Sequence, residues 1–162
     1  MRRELPGPGQ ESVWDYPRPP RLERTIRRIR IEFGGVTIVD TTSAWRVLET
    51  SHPPNYYIPP NAFSGCELVI SARTSFCEWK GQARYASIRV GDLVADDAAW
   101  SYPDPVRAFA PLAGFFAVYP DRMDRCLVDD EVVTPQPGGF YGGWITADVV
   151  GPFKGGPGTS GW

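Results

Sequence analysis

A thiol and an amine stand three residues apart in the stretch TSFCEWKGQARYASI, Thr74 to Ile88. An ammonium beside a thiol favours the thiolate, so Cys77 with Lys80 at hand has the makings of a nucleophile. The same pair also suits a structural part, with Cys77 as a small buried hydrophobe and Lys80 as a solvated turn residue. Any Ser-His or Cys-His mechanism needs an imidazole, and the chain has only His52, in SHPP, where the prolines favour extended backbone and a surface position is expected. The three cysteines, Cys66, Cys77 and Cys126, are nowhere spaced C-x-x-C. With one histidine they offer no zinc ligand set of the usual kind, so neither a metal nor a cofactor is expected. GPFKGG is not a phosphate loop either, since Lys154 precedes its glycines and no G-K-[ST] follows.

The elements that position these residues read as strands. IRRIRIEFGGVTIVD places Ile29, Ile31 and Phe33 on one face and Arg28, Arg30 and Glu32 on the other, with Gly34-Gly35 between two strands, which predicts a hairpin. Further strands are expected at Glu67 to Arg73, Ala83 to Val90, Leu93 to Trp100 and Gly114 to Tyr119, and only short helices, at Ser43 to Glu49 and Pro105 to Phe109. The fold class is therefore mainly β and antiparallel, with no helix longer than three turns. If Glu67 to Arg73 and Ala83 to Val90 are neighbours, TSFCEWKGQ joins them, and Gly81 supplies the positive φ such a return often needs. Tyr56 and Tyr57, adjacent in an extended segment, point to opposite faces, so one at most lines a common pocket.

At 162 residues with 42% hydrophobic content the chain can fill the core of one domain. A formal charge of -2 argues against a protein built to neutralise phosphates, so no nucleic-acid partner is expected. Eight of the first 30 residues are Arg, yet those of the hairpin fall on the outward face of an alternating strand, where they keep it soluble. Only two Lys stand against 15 Arg. Residues 1–24 combine Pro and Gly with little apolar content and read as an extended arm anchored by Trp14 and Tyr16; 25–130 carry the β pattern. Residues 131–162 form a C-terminal arm in which Phe140, Tyr141, Trp144, Phe153 and Trp162 are interspersed among Gly and Pro, a composition suited to an ordered segment lying on the domain or on a partner. Nothing reads as a leader or a membrane span, so a cytoplasmic chain with free thiols is expected.

LETSHPPNYYIPP (48–60), TSFCEWKGQARYAS, AAWSYPDP (98–105) and AGFFAVYPDRMD (113–124) occur in this order. Together they resemble the bacterial and fungal family known as domain of unknown function 427, whose pattern runs E-T-x-x-P-P-x-Y-Y-I-P, T-x-C-P-W-K-G-x-A-x-Y, A-A-W-x-Y and G-[FY]-x-A-F-Y. The resemblance covers about residues 26–128, with Glu78 where the pattern has Pro and Val118 where it usually has Phe. It implies a β-tent-like fold, two meandering antiparallel sheets leaning together, whose better-known members hold zinc on paired C-x-x-C knuckles or bind small ligands between the sheets. This chain lacks the knuckles. Nucleotidyl transfer would want a G-S turn followed by two spaced metal-binding carboxylates on a strand, and the sequence has neither.

Carried over position by position, the resemblance implies a site made of Glu49, Tyr57, Cys77, Lys80, Tyr85, Trp100 and Tyr102. One carboxylate, one ammonium, one thiol and several aromatic walls would orient and bury a small polar molecule. Glu49 and Lys80 would equally serve as a structural ion pair across the sheets. Three functions remain open: a small-molecule-binding domain; an enzyme with Cys77 or Lys80 as nucleophile and Glu49 as acid or base; and an interaction module whose C-terminal arm docks on a partner or a second copy, giving a homodimer.

Overall fold

A computed structural model describes residues 1–162. Alternation in the sequence becomes fifteen strands: β1 (Glu11–Ser12), β2 (Arg21–Arg24), β3 (Ile29–Phe33), β4 (Val36–Thr41), β5 (Trp45–Leu48), β6 (Asn55–Tyr57), β7 (Glu67–Cys77), β8 (Gly81–Val90), β9 (Leu93–Ser101), β10 (Phe116–Val118), β11 (Arg125–Val128), β12 (Glu131–Val132), β13 (Thr134–Pro135), β14 (Trp144–Ile145) and β15 (Val149–Val150). The longest helical stretch is a kinked 3-10 segment, Arg107–Leu112, interrupted by Pro111. No helix is long and apolar enough to cross a membrane.

In the β3–β4 hairpin Ile29, Ile31 and Phe33 are buried as the alternation requires. On its outer face Arg28 makes a two-pronged pair with Asp40 at 2.9 and 2.7 Å, Arg30 meets Asp130, and Glu32 pairs with Arg125. Such exposed pairs keep the face soluble and add little to stability. This hairpin belongs to a four-stranded sheet ordered β12-β11-β3-β4.

The second four-stranded sheet is a meander, β10-β9-β8-β7, and a third has the order β2-β5-β6. These two are joined by a bridge between Ile58 and Phe116, with mutual hydrogen bonds of 2.8 and 2.9 Å. The result is one curved surface running β2-β5-β6-β10-β9-β8-β7. Because side chains alternate, its two faces bury different sets of residues. Tyr56, Ile58, Ala86, Ile88, Ala99 and Val118 pack against the β3–β4 sheet in the larger core. Val47, Tyr57, Ala83, Tyr85, Trp100, Tyr102, Ala117 and Tyr119 form a second, aromatic cluster on the other face. Tyr56 and Tyr57 do part to opposite faces, as their adjacency demands.

Three local expectations need correction. Trp45–Leu48 is a strand, not part of a helix over 43–49, because Trp45 and Val47 are paired to β2 on one side and β6 on the other, and Glu49 continues their period-two series. The short helix near Pro105 begins two residues later, at Arg107. In the N-terminal segment Val13, with no exposed surface, is the deepest anchor: it packs with Tyr16, Leu48 and Val149, while Trp14 is half-buried against Trp162 at 5.5 Å.

Candidate functional site

On the aromatic face, residues two apart along each strand and opposite across the ladders line up: Ser75 and Cys77 on β7, Ala83 and Tyr85 on β8, Trp100 on β9 and Tyr102 just beyond it, Asn55 and Tyr57 on β6, and Val47 followed by Glu49 on β5. They surround a cavity of about 280 Å³. All seven side chains implied by the sequence resemblance, Glu49, Tyr57, Cys77, Lys80, Tyr85, Trp100 and Tyr102, border it. His52, Tyr119, Tyr141 and Lys154 border it as well.

The β7–β8 turn directs Lys80. Cys77 pairs with Gly81, leaving Glu78, Trp79 and Lys80 as a three-residue loop, and Gly81 returns the chain at a φ of 112° that a side chain would disfavour. Trp79 packs on the aromatic cluster, and the Lys80 carbonyl accepts a hydrogen bond from the Val106 amide at 3.0 Å. Lys80 is thereby held inward with only 7% of its surface exposed. Its ammonium lies over two rings, 5.6 Å from the centre of Tyr102 and 5.8 Å from Phe109. Every side-chain ion pair in the protein uses an arginine and none uses Lys80.

Glu49 is engaged elsewhere: its Oε2 lies 3.4 Å from Arg18 Nε and 3.5 Å from His52 Nε2. A Glu49–Lys80 ion pair, one of the two readings open from sequence, is not formed. His52 is buried, at 7% exposure, and not at the surface as its proline-rich stretch suggests. The Gln136 amide, whose oxygen accepts from Gly143 N–H at 3.0 Å, donates to the Lys154 carbonyl at 2.7 Å and to His52 Nδ1 at 3.2 Å. Nδ1 is therefore the acceptor, and the ring proton sits on Nε2, facing Glu49. Burial, followed by the nearby charges of Lys154, Arg18 and Lys80, pushes the imidazole down to about 3 and keeps it neutral.

The aromatic walls are tied by their polar tips. Trp100 Nε1 donates to the Tyr57 hydroxyl at 3.2 Å, Ser75 and Tyr85 share a hydrogen bond at 3.0 Å, and Tyr119 donates to the Phe140 carbonyl at 2.8 Å. Burial raises the Tyr57 and Tyr102 hydroxyls well above their usual value, so they act as neutral donors and acceptors. The half-buried Cys77 thiol lies near both hydroxyls and packs on the aromatic cluster. With both ring nitrogens of His52 already engaged, no imidazole is free to act as its base.

The remaining wall comes from the C-terminal segment. Asn55 donates to the Tyr141 carbonyl at 3.2 Å, the Tyr141 ring meets His52 at 4.6 Å, and Lys154 Nζ lies 5.4 Å from the Tyr141 ring and 3.3 Å from the main-chain oxygen of Trp162. Gly142 lets this strand of chain lie flat on the rings, since a Cβ there would sit 2.8 Å from Trp100 and from Tyr119.

The family described as Domain of unknown function (DUF427) matches residues 21–129. The chain belongs to the DUF427 family. Among curated proteins none matches it. Within this DUF427 protein the matched residues supply Glu49, His52, Tyr57, Cys77, Lys80, Tyr85, Trp100, Tyr102 and Tyr119 to the cavity, whereas Tyr141 and Lys154 come from beyond them. Tyr141, Lys154 and the role of His52 escaped sequence reasoning: a Gly/Pro-rich segment has no periodicity from which an inward side chain can be read. One signal was available, the scarcity of lysine, for both lysines of the chain border this cavity.

Proposed function

We propose that this DUF427 protein binds a small polar molecule in the aromatic cavity, with Lys80 orienting it. The observation that carries the reading is Lys80, a residue that is 7% exposed, whose ammonium borders the cavity and lies over two rings without a side-chain carboxylate partner. An ammonium that opens on a cavity loses water when a ligand fills it, and two ring faces compensate only in part, about 0.5–2 kcal/mol. A ligand that accepts hydrogen bonds from the ammonium supplies the missing partner, while Tyr57, Trp100 and Tyr102 enclose its body.

An enzyme using Cys77 is less well supported, because the thiol has no free imidazole beside it, and no observation favours Lys80 as a nucleophile over Lys80 as an orienting charge. An interaction module built on the C-terminal arm is likewise less well supported, since Trp144 is 1% exposed and Tyr141 faces the cavity; Phe140, at 56%, is the exposed exception. The test is a thermal-shift panel of single-ring and sugar-sized molecules, neutral, anionic and cationic, against the wild type, Lys80→Ala and Cys77→Ser. The reading expects at least one compound to raise the melting temperature of the wild type and of Cys77→Ser but not of Lys80→Ala; a shift retained in Lys80→Ala refutes the role of Lys80.

A further inference from the structure

We propose that the ligand is a small carboxylate with a flat, apolar body of about one ring, its carboxylate held between the ammonium groups of Lys80 and Lys154. The proposal rests on the binding reading and names the class of molecule that the same cavity takes.

The first support is the division of labour between the basic residues. The chain has 15 arginines and two lysines; both lysines and no arginine line the cavity. Arginine carries the ion pairs of the surface, and neither lysine pairs with a side-chain carboxylate. A protein that places arginine wherever it needs surface charge has kept the compact ammonium for the interior of one site.

The second support is the net charge that a ligand would meet. The two carboxylates at the cavity are Glu49, already engaged by Arg18 and His52, and Glu78, exposed on the β7–β8 turn. His52 is neutral. Among the side chains, what remains without a carboxylate partner is positive. Lys154 spends one of its three N–H donors on the main-chain oxygen of Trp162 at 3.3 Å, leaving two, and Lys80 spends none on a carboxylate.

The third support distinguishes carboxylate from phosphate. Many phosphate sites offer a row of amides at a helix start, whereas guanidinium forks serve carboxylates and phosphates alike. Here the fold contains only short 3-10 segments, so no such row faces the cavity. A volume of about 280 Å³ lies at the small end for ligand pockets, and the rings of Tyr57, Trp100, Tyr102 and Tyr141 offer flat apolar contact, so the body is of the order of one ring. Because Lys154 and Tyr141 lie beyond the residues matched to the family, the segment after 129 shares in setting ligand preference.

The test uses four probes on the full chain: benzoate, its neutral isostere benzamide, the cation benzylamine, and inorganic phosphate. Binding is followed through the imidazole NMR signals of His52, the only histidine and a wall of the cavity. Benzoate is expected to shift them saturably, with the other three at least tenfold weaker. Lys80→Met and Lys154→Met should each weaken benzoate at least tenfold, while Lys154→Arg, which keeps the charge, retains most of the affinity and controls for loosening of the C-terminal segment. Benzamide binding as tightly as benzoate overturns the carboxylate assignment but leaves the binding reading standing; phosphate binding as tightly overturns both the carboxylate assignment and the one-ring body. Benzoate affinity unchanged in both methionine variants overturns the two-lysine clamp. If none of the probes moves His52 and the broader panel gives no Lys80-dependent shift, both this proposal and the binding reading fall.

Discussion

Lys80 carries a charge into surroundings that do little to offset it, and that separates a binding lysine from a structural one. A structural lysine stabilises the fold through its partners, whereas Lys80 has only ring faces at 5.6 and 5.8 Å. Lys80→Met should therefore leave the ligand-free melting temperature unchanged or raise it, by up to about 1 kcal/mol in stability, because a charge with no side-chain carboxylate partner is replaced by an apolar side chain of similar volume. A clear fall in denaturant midpoint would mark Lys80 as structural. His52 makes a pH prediction. Its native value is lowered from 6.5 to about 3, so between these limits the unfolded chain takes up a proton that the folded chain refuses. Stability then falls as pH drops below about 6.5, at about 1.4 kcal/mol per unit, amounting to about 2 kcal/mol by pH 5. Urea denaturation across that range should show this slope in the wild type and lose it in His52→Gln. Identical slopes in the two proteins would contradict a buried neutral imidazole.

At the scale of elements, the site depends on one sheet whose two faces serve two cores. That arrangement was legible wherever alternation was strict: the β3–β4 hairpin, β8 and the opposed Tyr56 and Tyr57 follow from period two alone. It was not legible at β5, because Trp45, Val47 and Glu49 form too short a series to separate strand from helical turn without knowing that β2 and β6 flank it. Nor was it legible at the bulges, where β7 shifts register between Ile70 and Thr74 and runs on to Cys77, four residues beyond the expected end. The C-terminal wall tests the packing directly. Gly142→Ala adds a Cβ 2.8 Å from Trp100 and Tyr119 at a φ of 70°, so it should destabilise by about 2–3 kcal/mol and distort the cavity. Gly161→Ala, which meets nothing within 4 Å, is the control. Equal melting temperatures for the two variants would mean that the segment does not rest on those rings.

Over the whole molecule, the seven side chains gathered at the cavity come from β5 to β9 and the turns that follow them, an assembly no local pattern reveals; the family resemblance supplied it, and physics then explains it by register. Residues after 130 had to be seen folded, because their ordering comes from isolated large side chains and not from a repeat. Trp144 is the chief of these, 1% exposed, with Nε1 donating to the Val118 carbonyl at 3.0 Å and its ring 5.1 Å from Tyr56. Trp144→Ala should cost about 3–5 kcal/mol, and a loss under 1 kcal/mol in chemical denaturation would show the segment to be loosely attached. The central claim, a cavity that binds a small polar molecule through Lys80, is tested most directly by following the His52 imidazole signals by NMR while a panel of small polar molecules is titrated into the wild type and Lys80→Met. The predicted result is a saturable shift with at least one compound in the wild type, weakened at least tenfold in Lys80→Met; no shift with any compound, or the same shift in both proteins, would contradict it.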